Sequence, residues 1–260
     1  MRRIIIKLSN IGLLNNRLFN NLLIGLRLDD KFAHYINVYN YQNHENPDKT
    51  KSLQEIAGYS ETPEMNELLD YIHTELMNYS QHYLPNGGNV LDIGCGPGLF
   101  LKDFDERYNK RGIDIMPEMI ELAKNIIPNG NFYIGNIINE KIDEKFDMIF
   151  SVGALMYISK STMRRLKNKL DQLLNPGGIL FISYPHAIAR KDLSYPDLNY
   201  IQYSPNYVER LFSRGYEVLE HSRSVDKKKI GSYDEKPFSN AQNPAYKTYK
   251  NSSIIVLRKK

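Results

Sequence analysis

Residues 90–100, VLDIGCGPGLF, place an apolar run, an acid and three glycines within a few positions of one another. Gly94 and Gly96 permit backbone angles and a close approach that Cβ atoms would block. The helix expected from about Gly98 would present unpaired N–H groups. The chemistry this suits is the binding of a polar or charged group against the main chain. A dinucleotide site places glycines at the first, third and sixth positions of its turn, with a pyrophosphate on the helix N-terminus. Here the sixth position is Leu99, and Gly98 comes one residue early. Asp92 immediately precedes the turn; its carboxylate would repel a pyrophosphate and would suit an ammonium group. Metal chemistry has no matching pattern, since the chain has no His-x-x-x-His, no paired cysteines and no matched acidic triad.

Alternating strands and helices must position these residues. Thr62 and Pro63 open a helix, Thr as a cap and Pro at the first helical position. Met65, Leu68, Leu69, Ile72 and Leu76 give it one apolar face. Strands are expected over residues 89–94, 111–115, 131–137, 146–152, 178–184, 216–224 and 252–259, and helices over 99–108, 117–127, 159–174 and 205–215. The pattern predicts an α/β fold: a doubly wound, mostly parallel seven-stranded sheet with helices on both faces. Ligands bind such sheets beyond the carboxyl ends of the strands, at the switch point beside the first strand. Two long polar connections, about 185–203 and 225–251, are of a length that is functional or disordered in compact domains.

The rest of the chain adds bounds. It has 260 residues, 42 % hydrophobic and 25 % charged, with a net charge of +4 that is too mild and scattered to mark a nucleic-acid binder. One cysteine excludes a disulfide framework within the chain and suggests a reducing cytoplasm. Its richness in Asn, Lys, Ile and Tyr, without Trp, suggests a bacterial, AT-rich genome. Near the start, Leu14, Leu18, Leu22 and Leu26 recur at helical spacing in a segment too polar to span a bilayer. Residues 1–60 are expected to form an N-terminal helical segment acting as a lid or docking element. Residues 61–260 are expected to form the ligand-binding domain.

Several stretches together carry a resemblance. VLDIGCGPG at 90–98, GIDIMPEMIELAK at 112–124, FYIGNI at 132–137, FDMIFSVGALMYI at 146–158 and LNPGGILFIS at 174–183 resemble, in order and spacing, the class I S-adenosylmethionine-dependent methyltransferase family. The resemblance implies that family's Rossmann-like fold and S-adenosylmethionine as cofactor, a molecule with an ammonium, a sulfonium and no phosphate. It also implies residue roles. Asp92 would hold the methionine ammonium, and Gly94, Gly96 and Gly98 would floor the site, with Cys95 as small packing within the turn. Asp114 would accept the ribose hydroxyls. Ile115 and Met116 would pack on adenine. Asn136, where the family commonly has Asp, would accept from the adenine amino group, with the Ile137 N–H donating to the ring. Ser151 and Val152 would line the other side; Ser151 reads equally as a strand-end hydrogen bond.

Catalytic candidates are less defined. Tyr157 and His186 follow strands four and five, where an acceptor approaches. Pro185 restricts Tyr184 to extended geometry and should throw His186 outward at the cofactor edge as a candidate base. His44 and Glu45 lie on the segment that often folds over the cofactor in this family. Residues 151–154 lack the Asp/Asn-Pro-Pro-aromatic signature of base-amino methyltransferases, and the tyrosine-rich late loops suit a pocket for sugars, phosphorylated metabolites or surface-glycan precursors. The expectation is therefore O-methylation of a hydroxyl or phosphate of a small molecule, a metabolite or surface-glycan precursor. RNA or protein methylation, and a non-catalytic cofactor-binding protein, are the alternatives.

Overall fold

The structure is a computed structural model that describes residues 52–59, 61–186, 193–195, 200–223 and 252–260. The N-terminal leucine stripe, His44, Glu45 and the late-loop tyrosines Tyr233, Tyr246 and Tyr249 lie outside them.

Ser52 caps a single helical turn, α1 (Leu53–Ile56), through a reciprocal box with Glu55. Thr62 then caps α2 (Pro63–Tyr83), with Pro63 at its first position. The strands β1 (Gly88–Ile93), β2 (Tyr108–Asp114), β3 (Asn131–Ile134), β4 (Phe146–Val152) and β5 (Leu174–Pro185) follow. α3 (Pro117–Ile126) joins β2 to β3, and α4 (Lys160–Leu173) joins β4 to β5. A small hairpin, β6 (Leu193–Tyr195) with β7 (Tyr200–Gln202), precedes α5 (Pro205–Phe212), β8 (Tyr216–Arg223) and β9 (Ser252–Lys259).

The seven-stranded sheet runs β3-β2-β1-β4-β5-β9-β8. Its first five strands are parallel, and β9 lies antiparallel to both β5 and β8. This is the expected doubly wound, Rossmann-like sheet. The order reverses between β1 and β4, so their carboxyl ends flank the crevice. Period-two alternation splits the core. Val90, Met148, Phe150 and Phe181 face α2, while Leu91, Ile149, Leu180 and Ile182 face α4 and α5.

Four expectations change. Residues 99–108 form no full helix: a 3-10 turn at Leu101–Asp103 ends at Phe104, and β2 begins at Tyr108. Phe100, Leu101 and Phe104 are nonetheless buried. The Asp105 carboxylate, however, accepts both the Arg107 backbone N–H at 2.9 Å and its guanidinium, a local bond that competes with helix. The third strand stops at Ile134, and the fifth starts at Leu174, directly at the end of α4. Part of the connection expected over 185–203 is the β6–β7 hairpin.

Candidate cofactor site at the carboxyl edge

The glycine turn sits where β1 ends. Gly94 and Cys95 both donate backbone N–H groups to the Ile113 carbonyl, at 2.8 and 3.2 Å, tying the turn to β2. Gly94, Gly96 and Gly98 have φ of 74°, 51° and 89°, the left-handed region. Their surroundings differ. A Cβ on Gly94 would lie 2.5 Å from the Ala154 Cβ, and one on Gly98 would lie 2.8 Å from Ile127 Cδ1. A Cβ on Gly96 would meet no protein atom within 4 Å. Gly94 and Gly98 are therefore glycine for packing, whereas Gly96 faces open space. Cys95 packs beneath: its Sγ would crowd a Cβ on Gly112 at 2.8 Å, and burial pushes its thiol pKa well up. A protonated, buried thiol is packing and not a nucleophile.

Asp114 ends β2 beside this space. Its carboxylate accepts the Gly96 N–H and the Met116 N–H, each at 2.9 Å. Each oxygen keeps lone-pair capacity for a further donor. Burial raises its pKa, opposed by the backbone N–H groups of Met116, Gly96 and Ile115. Asp92, on β1 and 3 % exposed, has no hydrogen-bond partner among the described residues. Its pKa is raised well above the usual carboxylate range, first by burial and then by the Asp114 charge. The Asp92 carboxyl thus lies near that of Asp114, which itself borders the open space in front of Gly96. Ile115 and Met116, half-buried, continue the edge from Asp114.

On the β3 side, Asn136 Oδ1 accepts the Ile138 N–H at 3.0 Å, so the oxygen expected to receive an adenine amino group already closes a turn. Ile137 is buried in the core with Ile93 and Ile113. On the β4 side, Ser151 donates to the Ile93 carbonyl at 2.9 Å. Of the two readings of Ser151, the strand-end hydrogen bond is the one formed; it ties β4 to the glycine turn. Val152 is buried beside it.

The acceptor side differs more from expectation. Tyr157 sits half-buried on a 3-10 turn, Leu155–Tyr157, after β4. His186 is not thrown outward. It is 3 % exposed, its Nδ1 lies 2.7 Å from Ser253 Oγ on β9, and it forms a bridge with Tyr203. Pro185 does keep the chain extended, but extension continues β5 in the plane of the sheet, where the backbone bridges to Tyr203 and the ring meets Ser253 of β9. Two residues here went unread in the sequence. Tyr59 donates from its hydroxyl to the Val152 carbonyl at 3.3 Å, and Ser253 partners His186. Neither carries a local motif. Tyr59 precedes the first strand, and Ser253 follows a long connection.

Among the described residues no group of three or more His, Cys, Asp or Glu could hold a metal, and no helix is long and apolar enough to cross a membrane.

Comparison with known proteins agrees with this geometry. Residues 84–233 match the family model described as a methyltransferase domain. The malonyl-[acyl-carrier protein] O-methyltransferase 1 of Ilyobacter polytropus is 34 % identical over 126 residues, covering 44 % of this chain and 46 % of that protein. The trans-aconitate 2-methyltransferase of Escherichia coli O157:H7 is 31 % identical over 127 residues, covering 44 % and 50 %. The chain thus spans about half the length of these curated relatives. The solved N-methyltransferase NodS from Bradyrhizobium japonicum WM9, in complex with S-adenosylhomocysteine, superposes with a TM-score of 0.57 at 18 % identity, covering 77 % of this chain and 89 % of that one. With more than half its length matched by the family model and its sheet seven-stranded and mostly parallel as expected, the chain belongs to the methyltransferase-domain family, with the fold of the class I S-adenosylmethionine-dependent methyltransferases.

Proposed function

We propose that this chain is an S-adenosylmethionine-dependent methyltransferase acting on a small molecule, with a hydroxyl oxygen as acceptor. The observation that carries the cofactor is the buried Asp92 carboxyl near Asp114, which borders the open space before Gly96. A buried carboxyl group with no partner calls for a cation or a donor. The methionine ammonium answers Asp92, and the ribose hydroxyls answer the remaining lone pairs of Asp114. The residues present therefore fit the group. The relatives named above support a small acceptor.

The cofactor supplies an already activated methyl on a sulfonium. What remains for the chain is alignment and exclusion of water. Asp114 fixes the turn by accepting Gly96 and Met116 N–H groups, and Ser151 fixes it from β4. Tyr59 covers the end of β4. A hydroxyl acceptor must lose a proton, and Tyr157 and His186 are the groups proposed to take it. The burial of His186 against Ser253 makes Tyr157 the better placed of the two.

Calorimetry with S-adenosylhomocysteine against NAD tests the cofactor; binding of NAD alone would overturn the reading. A transfer screen with methyl-labelled cofactor against metabolite pools tests the activity. Label appearing only in RNA or protein fractions would overturn the small-molecule acceptor.

A further inference from the structure

The turn after β3 holds a carboxylate that none of the roles above uses. In this turn the Asn136 carbonyl accepts the Asn139 N–H at 2.9 Å and the Glu140 N–H at 3.0 Å. α4 holds it in place: Lys169 Nζ donates to the Glu140 carbonyl at 2.8 Å, and Arg165 donates to Asn139 Oδ1 at 3.2 Å. The Glu140 side chain folds back over Gly135. A Cβ built on Gly135 would lie 2.1 Å from Glu140 Oε1 and 2.5 Å from its Cδ, so the carboxylate takes the room that a side chain at 135 would fill. Glu140 is half-buried, and its carboxylate makes no hydrogen bond or ion pair with a described residue.

That place belongs to the cofactor edge. Gly135 donates its N–H to the Asp114 carbonyl at 2.8 Å, and Ile134 before it is the sheet partner of Asp114. The Glu140 carboxylate therefore sits at the β3 end of the edge on which Asp114 borders the open space before Gly96. With the ribose hydroxyls at Asp114, the adenine falls beside this end. Its 6-amino group is a donor and calls for an acceptor. Asn136 Oδ1, the oxygen expected to serve, already accepts the Ile138 N–H at 3.0 Å, and Asn139 Oδ1 already accepts Arg165. A charge-assisted bond to a carboxylate is stronger than a second bond to a neutral amide oxygen already in use.

We propose that Glu140 is the adenine-selecting residue of this chain: its carboxylate accepts the 6-amino group of the cofactor, a part that the resemblance assigned to position 136. Asn136 instead shapes the turn that carries Glu140, and Gly135 leaves the carboxylate its room. The proposal rests on the cofactor reading above.

Calorimetry on the full chain tests it with two ligands, S-adenosylhomocysteine and S-inosylhomocysteine, in which a carbonyl replaces the 6-amino group. Wild type should bind the first about 10-fold or more tightly than the second, because a carboxylate facing a carbonyl sets acceptor against acceptor. Glu140→Gln should shrink that preference about 10-fold, since an amide can turn its NH2 towards the carbonyl. Glu140→Ala is the second variant and should shrink it as well. Asn136→Ala, which loses the bond to Ile138, should weaken both ligands alike and keep the preference. The thermal midpoint of ligand-free Glu140→Gln should stay within about 2 °C of wild type, which separates recognition from a structural role. A preference unchanged in both Glu140 variants, or lost in Asn136→Ala instead, overturns the proposal and leaves the cofactor reading standing. Failure of S-adenosylhomocysteine to bind wild type overturns the cofactor reading, and the proposal with it.

Discussion

Gly94 and Gly96 are two positions apart and predict opposite outcomes. Gly94→Ala drives a methyl to within 2.5 Å of Ala154. It should lower the thermal midpoint sharply, by several degrees. Gly96→Ala meets no protein atom and carries only the strain of φ 51°, about 1 kcal/mol. That variant should fold and yet lose S-adenosylhomocysteine affinity by 10-fold or more, read by calorimetry. Normal affinity in Gly96→Ala would show that nothing lies against that backbone. Asp92 adds a pH signature. Its folded pKa is raised, so the native state holds a proton that the unfolded chain releases near pH ~4. Stability without cofactor should therefore fall as pH rises above that value, until the folded pKa is passed. Asp92→Asn should flatten this slope, raise the midpoint near neutral pH by about 2–4 °C, and weaken cofactor binding. A variant less stable than wild type at neutral pH would contradict the buried-charge account. Asp114 behaves differently, because it holds the turn as well as facing the ligand space. Asp114→Ala should cost both cofactor affinity, roughly 10- to 100-fold, and stability of the free protein.

At the scale of elements, α5 is pinned to the sheet by a polar chain that runs from the core out to the surface at Glu209. Tyr184 on β5 meets His221 Nε2 at 2.8 Å, and His221 Nδ1 meets Glu209 of α5 at 2.9 Å. With Nδ1–H donated to Glu209, Nε2 is free to accept from the tyrosine, which fixes one neutral tautomer. Burial lowers the His221 pKa despite Glu209. The unfolded chain therefore binds a proton at this site more readily than the folded one. Stability is fully present above the unfolded value, near pH ~6.5, and is lost as pH falls through it towards the lower folded pKa. Denaturation midpoints between about pH 7 and pH 5 should show this loss in wild type and a shallower one in His221→Gln; equal slopes would remove His221 as the cause. The pairing itself was hidden from the sequence. Glu209 and His221 are 12 positions apart and Tyr184 is 37 from His221, with no shared pattern. The strands were visible by contrast, because Val90, Leu91 and Ile93, or Met148, Ile149 and Phe150, are apolar runs long enough for a buried parallel strand.

Across the whole molecule, the segment before the domain reaches the site through Tyr59. Tyr59→Phe removes its bond to Val152 and should cost about 0.5–1.5 kcal/mol, with faster proteolysis near residues 52–60. Unchanged cleavage would mean that this segment is not held at β4, and would weaken the proposal that residues 1–60 form a lid. The sequence alone determined the succession of strands along the chain, the glycine turn and the place of Asp92 and Asp114 at the ends of the first two strands. Those features are local: apolar runs, caps and turn residues act over a few positions, and a parallel sheet built from them leaves little choice of crossover. Only the tertiary structure decided that residues 99–108 form no full helix, that Ser151 ties β4 to the turn, and that His186 bridges to Tyr203 and lies against Ser253. Each of these turns on a partner brought near by folding, 58 positions away for Ser151 and 67 for His186, or on a side chain that outcompetes backbone helix, as Asp105 does. Hydrogen bonds between residues so distant leave no periodicity to read, and a side chain's direction at a strand end is set by what covers it.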